Sequence, residues 1–244
     1  MPIIDNPSFP VPADLLLAQG ARLLANPIPH PRPVVILAGW HSPRLSSRGV
    51  ESILRPLTSA REEDFLSIGY AMSTSIPAAA RRTLAALRDR GLDGREIDVV
   101  GLSMGGVLAR GLGAGLFGAP PVRIARLFTL ASPHRGAILA RAVRPDPAAR
   151  DLRPGSTYLA EIDAAWPAFT AETIPYALLR DWWVGATRTA PPGMHPRWLD
   201  PVRPWTRAFS HFAINFDRRV LLDVALRLRG ETPLSGPVTP PPRD

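Results

Sequence analysis

Asp98-Val99-Val100-Gly101-Leu102-Ser103-Met104-Gly105-Gly106-Val107-Leu108-Ala109-Arg110 decides the fold. A short apolar run breaks at a small-residue turn carrying one serine and then turns helical. Gly101, Ser103 and Gly105 have the spacing Gly-x-Ser-x-Gly, and Ile97 to Val100 supplies the preceding strand. A serine in so tight a strand-to-helix turn needs a strained backbone, and the turn closes only if the residues two before and two after it lack side chains. Gly101 and Gly105 meet that need, and Gly106 lets the helix start close to the sheet. The turn exposes the serine oxygen above the sheet edge and aims the first helical amides at the same point, where the helix dipole favours negative charge. These features mark a nucleophile site; the competing reading is a glycine-rich βα turn with an incidental serine.

Around this stretch, 244 residues and 45% hydrophobic content suit one α/β domain. Three parts are expected: an irregular and helical lead-in over 1–32, the main domain over 33–229, and a disordered tail over 230–244. A net charge of +8 points first to nucleic acid or a membrane surface. However, the sequence has no lysine, so all 29 basic residues are arginine, and they are scattered among acidic residues without aromatic interleaving. That pattern reflects composition bias, so no nucleic-acid partner is expected. The absence of cysteine rules out disulfides, thiolate metal sites and a cysteine nucleophile. No signal peptide or transmembrane segment is read, and a cytoplasmic location is expected.

In chain order, Leu16, Leu17, Leu23 and Leu24 predict a helix ending at Asn26-Pro27. The continuous apolar run from Pro33 to Trp40 predicts a strand buried on both faces. A short helix is expected over Gly49–Leu57, a strand over Asp64–Tyr70, and a helix from Ser75 to Gly91 with Ala80, Leu84 and Leu87 on its buried face. The elbow strand and helix follow, then a strand over Val122–Leu130. Alternation of this kind argues for a mostly parallel sheet covered by helices on both faces. Ala137 to Ala171 is the stretch long enough for a cap, and a short one. Ile174–Leu179 reads as a strand, Thr187–Pro204 as loop, and Arg218–Arg229 as a last helix capped by Asp217.

A serine hydroxyl attacks well only when a histidine takes its proton and a carboxylate holds the other ring nitrogen. Of five histidines, His30 and His195 lie in proline-rich segments and His41 follows the first strand. His211, just before the last helix and after the last acid candidate, is preferred as base over His134, which stands at a strand end where it can line the pocket. Asp181, past the strand Ile174–Leu179, is preferred as acid, with Asp200 as runner-up and Asp217 read as a helix cap. Oxyanion donors are expected at the backbone amides of Met104 and Trp40.

These stretches together resemble the α/β-hydrolases of the lipase and esterase type. The resemblance rests on Gly101-Leu102-Ser103-Met104-Gly105-Gly106, on Leu37-Ala38-Gly39-Trp40, and on Ser132-Pro133-His134-Arg135-Gly136, which is similar to a Ser-Pro-His-x-Gly stretch of triacylglycerol lipases. Asp151-Leu152-Arg153-Pro154-Gly155-Ser156 with Tyr158-Leu159 resembles a further segment, and Asp181-Trp182-Trp183-Val184 resembles the acid-bearing turn. One departure is Ala38-Gly39, where the family has His-Gly. The resemblance implies the α/β-hydrolase fold and the order Ser103, Asp181, His211. A serine hydrolase cleaving small-molecule carboxylic esters, without metal or organic cofactor, is the expected function. An acyltransferase, or a hydrolase-fold binding protein without catalysis, is the alternative, and the oligomeric state is left open.

Overall fold

A computed structural model describes residues 9–73, 75–118, 120–142, 145–201 and 210–242. Six strands form one sheet in the order β2-β1-β3-β4-β5-β6, every pairing parallel. They are β1 (Val34–Leu37), β2 (Phe65–Ile68), β3 (Ile97–Leu102), β4 (Ile124–Leu130), β5 (Glu172–Leu178) and β6 (Arg197–Leu199). Side chains alternate across the sheet, so each strand feeds two cores. Val35, Leu37 and Val99 pack on one face with α3 (Ile76–Asp89) and α4 (Met104–Gly113). Val34, Ile36, Val100 and Phe128 pack on the other with α1 (Ala13–Ala25), α2 (Arg44–Leu57) and α8 (Arg218–Leu228). Two covered faces explain the near-continuous apolar strands.

The chain runs from β1 outward to β2 and then returns past β1 to build β3, β4, β5 and β6 in order. Strand order therefore reverses between β1 and β3, and the crevice at the carboxyl ends of these two strands is where parallel sheets place ligands. Leu37 pairs with Gly101 at that end, which brings the segment after β1 beside the elbow serine.

Several boundaries differ from the expectation. The apolar run from Pro33 leaves the sheet early: Ala38 still donates to the Ile68 carbonyl at 3.0 Å, but Gly39 and Trp40 have turned away. α2 begins at Arg44, five residues before the expected start, directly after Pro43, whose extended backbone suits a helix start. It runs through Pro56 to its last residue, Leu57, and just past it the Thr58 hydroxyl donates to the Leu54 carbonyl at 2.8 Å. β6 lies inside the stretch expected to be loop; its three residues are too few for periodicity to register. The cap segment holds α5 (Pro147–Asp151) and α6 (Thr157–Ala165), and its Ala148, Leu152, Leu159 and Ile162 enter the same core as α4. It is packed onto the body of the protein.

The lead-in holds α1, whose buried Leu23 packs against the core beside α2 and α8; residues 1–8 lie outside the described ones. The tail, expected to be disordered, has no helix or strand over 231–242, yet it is held. The Ser235 amide and hydroxyl donate to buried Asp223 at 2.6 and 2.9 Å, and the Trp198 indole donates to Thr239 at 3.2 Å. A proline-rich segment cannot join a sheet but can still lie along one, and here it is tied to β6 and α8. No helix among the described residues is long and apolar enough to cross a membrane.

Candidate active site

Ser103 stands between β3 and α4 with φ 51° and ψ −119°, a positive φ that a residue with a side chain adopts only under constraint. The constraint is packing around the turn. A Cβ on Gly101 would lie 2.4 Å from the Gly106 backbone, and one on Gly105 would lie 2.3 Å from the Leu37 carbonyl oxygen. A Cβ on Gly106 would meet the Ser132 hydroxyl at 2.2 Å. Each glycine marks a contact that admits no carbon. The Ser103 amide donates to the Leu130 carbonyl at 2.9 Å, so the neighbouring strand also holds the turn.

Ser103 Oγ lies 2.9 Å from His211 Nε2, and His211 Nδ1 lies 2.8 Å from Asp181 Oδ2. Because a carboxylate only accepts, Nδ1–H donates to Asp181, which leaves Nε2 to accept from the serine hydroxyl. Asp181 follows β5 after Arg180, which takes a positive φ of 63° to turn the chain. Its Oδ1 accepts the amides of Trp183 at 3.0 Å and Val184 at 3.2 Å, so the carboxylate is fixed on both oxygens and is 2% exposed. His211 sits on α7 (Ser210–Ala213), four residues of helix ahead of α8. Asp200, the other acid candidate, directly follows β6, where its carbonyl accepts from Arg219 at 2.9 Å; its carboxylate is not the partner of His211.

The sequence does not single out Trp183. Its ring stacks on His211 at 5.3 Å with an 11° interplanar angle, and Phe212 meets both rings edge-on. The stack fixes the plane of the imidazole that the two hydrogen bonds define by their ends. A tryptophan beside a candidate acid is the only signal the sequence offers for this contact, and many buried tryptophans share it.

His134 does not line the site. It is wholly buried behind Pro133, with Nε2 3.1 Å from Thr129 Oγ1. Burial holds its ring well below the usual imidazole value, and the positive charges of Arg110 and Arg135 push the same way. A strand-end histidine can face the crevice or the core, and here the turn at Ser132–Gly136 sends it inward. Nearby Arg110, on α4, is equally buried, donates to Asp163 at 2.9 Å, and lies 4.5 Å over the Trp166 ring.

Trp40 follows Gly39 in the loop after β1, and a Cβ on Gly39 would stand 3.3 Å from Ser103 Cβ, so this loop passes directly over the serine. The amides of Trp40 and Met104 have no acceptor among the described residues. Two clefts meet at Ser103, with Trp40, Trp183 and His211 on both walls. One, of about 120 Å³, runs past Ser42, Ser46, Phe212, Asn215 and Phe216. The other, of about 40 Å³, is enclosed by Pro133, Leu139, Ala149, Leu152 and Val184. Among the described residues no cluster of His, Asp or Glu has the arrangement of a metal site.

The sequence matches no family model, and comparison with curated proteins gives no significant relative. Solved structures do match. A Bacillus licheniformis lipase in its mature form is 15% identical, with 78% of this chain and 89% of that one covered and a TM-score of 0.54. The same lipase in its propeptide form gives 16% identity, coverage of 88% and 54%, and a TM-score of 0.58. Lipase B of Aspergillus fumigatus gives 11% identity, coverage of 98% and 63%, and a TM-score of 0.56. At such identities the likeness is one of fold, and it extends over most of the chain.

Proposed function

We propose that this chain, which has the α/β-hydrolase fold, is a serine hydrolase that cleaves small carboxylic esters through an acyl-enzyme. The observation that carries the reading is the hydrogen-bonded line from Ser103 Oγ through His211 to Asp181, held at 2.9 and 2.8 Å. In this reading His211 Nε2 takes the serine proton as Oγ attacks the acyl carbon, forming a tetrahedral adduct whose oxyanion accepts from the Met104 and Trp40 amides. The adduct collapses as His211 returns the proton to the leaving alcohol. Water then enters, His211 takes a proton from it as its oxygen attacks the acyl carbon, and when this second tetrahedral adduct collapses His211 gives that proton to Ser103 Oγ, releasing the acid. Asp181 keeps the proton on Nδ1 and offsets the charge that His211 gains.

The strained φ at Ser103 serves the same end, because it costs of order 1–3 kcal/mol and is held by the packing of Gly101, Gly105 and Gly106. Pre-organising the nucleophile in the folded state removes that cost from the reaction itself. The two clefts divide the substrate. The apolar one takes the acyl chain, and at about 40 Å³ it has room for roughly three water-sized groups, which fits an acyl chain of about two to four carbons. The larger one, with Ser42, Ser46 and Asn215 along it, takes the alcohol.

A fluorophosphonate probe tests the reading, since it reacts with an activated serine and not with an ordinary one. Labelling of the wild-type chain at Ser103, lost in Ser103→Ala, is the expected result. An unlabelled wild-type chain would refute the reading and favour a binding protein on the hydrolase fold.

A further inference from the structure

Asp146, at the start of α5 in the cap, makes contacts outside its own helix that a cap residue does not need. Its Oδ1 accepts the Ala149 amide at 2.7 Å, the ordinary bond of an N-cap. The same oxygen accepts the Trp40 indole at 3.1 Å, and its Oδ2 accepts His41 Nε2 at 2.7 Å, across more than a hundred residues of chain. The Trp40 and His41 rings lie 4.8 Å apart, so both residues after Gly39 are held by one carboxylate. The loop needs such an anchor. His41 has a positive φ of 48°, and within the loop the peptide between Gly39 and Trp40 is held by one bond, from the Ser42 amide to the Gly39 carbonyl at 3.2 Å. No strand pairing fixes the Trp40 amide, because β1 has already ended at Leu37.

We propose that Asp146 is a positioning residue for the loop over Ser103: by holding the Trp40 indole and the His41 ring to the first turn of α5, it sets where the Trp40 amide points. The proposal rests on the reading above, in which that amide binds the oxyanion. It makes the cap a structural part of the oxyanion site, because any shift of α5 is transmitted through one carboxylate to a donor beside Ser103. Burial pushes the Asp146 carboxyl up, but the Ala149 amide, His41 and the Trp40 indole outweigh that and hold it below its usual value. It is therefore a charged acceptor across the neutral range, which makes the three bonds stronger than those of a neutral group.

The test compares Asp146→Ala with Ser156→Ala, which removes the hydroxyl that accepts the Leu159 amide at the start of α6 and touches neither Trp40 nor His41. Both lose a helix cap, so a purely structural role predicts similar behaviour. Steady-state hydrolysis of p-nitrophenyl acetate and inhibition by a trifluoromethyl ketone, whose adduct with serine carries the oxyanion, are measured for each. Displacing an oxyanion donor lowers transition-state binding without touching the ground state. Asp146→Ala is expected to lose about tenfold to a hundredfold in kcat with KM within about twofold, and to bind the ketone more weakly by the same factor. Trp40→Phe, which keeps the backbone amide and most of the ring but not the indole N–H, is expected to show the same pattern more weakly, and it replaces Asp146→Ala should that variant not fold. Equal losses in Ser156→Ala, or a fall in kcat with unchanged ketone affinity, would overturn the proposal. Absence of fluorophosphonate labelling in the wild type would remove its premise, whereas a labelled wild type with an unimpaired Asp146→Ala refutes this proposal alone.

Discussion

Gly105→Ala adds one carbon at the tightest point of the elbow, and the structure fixes where it must go. The new Cβ would stand 2.3 Å from the Leu37 carbonyl oxygen and 2.8 Å from that of Ala38. To reach even 3.0 Å it must retreat by about 0.7 Å, and the obstruction is backbone, which cannot rotate aside as a side chain does. Either α4 moves off the sheet or the end of β1 moves off α4. The first displaces Ser103 and Met104, and the second displaces Gly39 and Trp40, so both partners in the clash carry a part of the site. Overpacking of this kind costs about 1–3 kcal/mol, which for a chain of this size lowers the melting temperature by roughly 2–12 °C. A displacement approaching 1 Å costs about a hundredfold in turnover. Thermal denaturation and p-nitrophenyl acetate turnover are measured together, with Gly94→Ala as control. Gly94 has φ +70° and a Cβ added there would meet nothing within 4 Å, so that change carries only the left-handed backbone cost of about 1–2 kcal/mol and should leave turnover intact. A folded Gly105→Ala with wild-type turnover would refute the reasoning, since the elbow would then tolerate a carbon that its geometry forbids.

Further predictions concern the groups around Ser103. Ser103→Ala and His211→Ala should reduce ester hydrolysis to a similar residual level, and the double variant should be hardly worse than either, because residues acting as one unit are not additive; additive losses would separate them. Asp181→Asn should cost far more turnover than Asp200→Asn, since only Asp181 bonds His211 and an amide favours the wrong tautomer; the opposite ranking would move the acid to the end of β6. Leu152→Ala should widen the smaller cleft and raise turnover of hexanoate relative to acetate esters in a p-nitrophenyl series, and an unchanged profile would put the acyl chain elsewhere. Burial lowers the His134 pKa, so below about pH 6.5 the unfolded chain binds a proton that the folded chain resists. Its contribution to stability is complete above that value and declines as pH falls toward the folded pKa. Urea midpoints at pH 7.5 and 5.5 should therefore differ less in His134→Gln than in the wild type, and equal differences would refute the assignment.

The elements legible in the sequence are those whose signal is local. Gly101-Leu102-Ser103-Met104-Gly105 reads as a turn because a backbone contact forbids carbons at fixed offsets from the serine, and the alternation of apolar strands with amphipathic helices reads as a parallel sheet because both faces must be covered. Asp181 and His211 stand out by their place relative to strand ends and the last helix, which the chain order alone provides. β6 and α5 escape such a reading because neither spans enough residues for a period to emerge, although Asp146-Pro147 is a helix-start signal in plain view. What only the tertiary structure decides are the relations across chain distance: that His134 faces the core, that Trp183 lies flat on His211, that Ser235 ties the tail to Asp223, and that Asp146 reaches back to Trp40 and His41. Periodicity and turn chemistry act over a few residues and are written in the order of the chain, whereas the direction a buried side chain takes depends on which distant segments arrive against it. That is settled only when the sheet and its helices close around it.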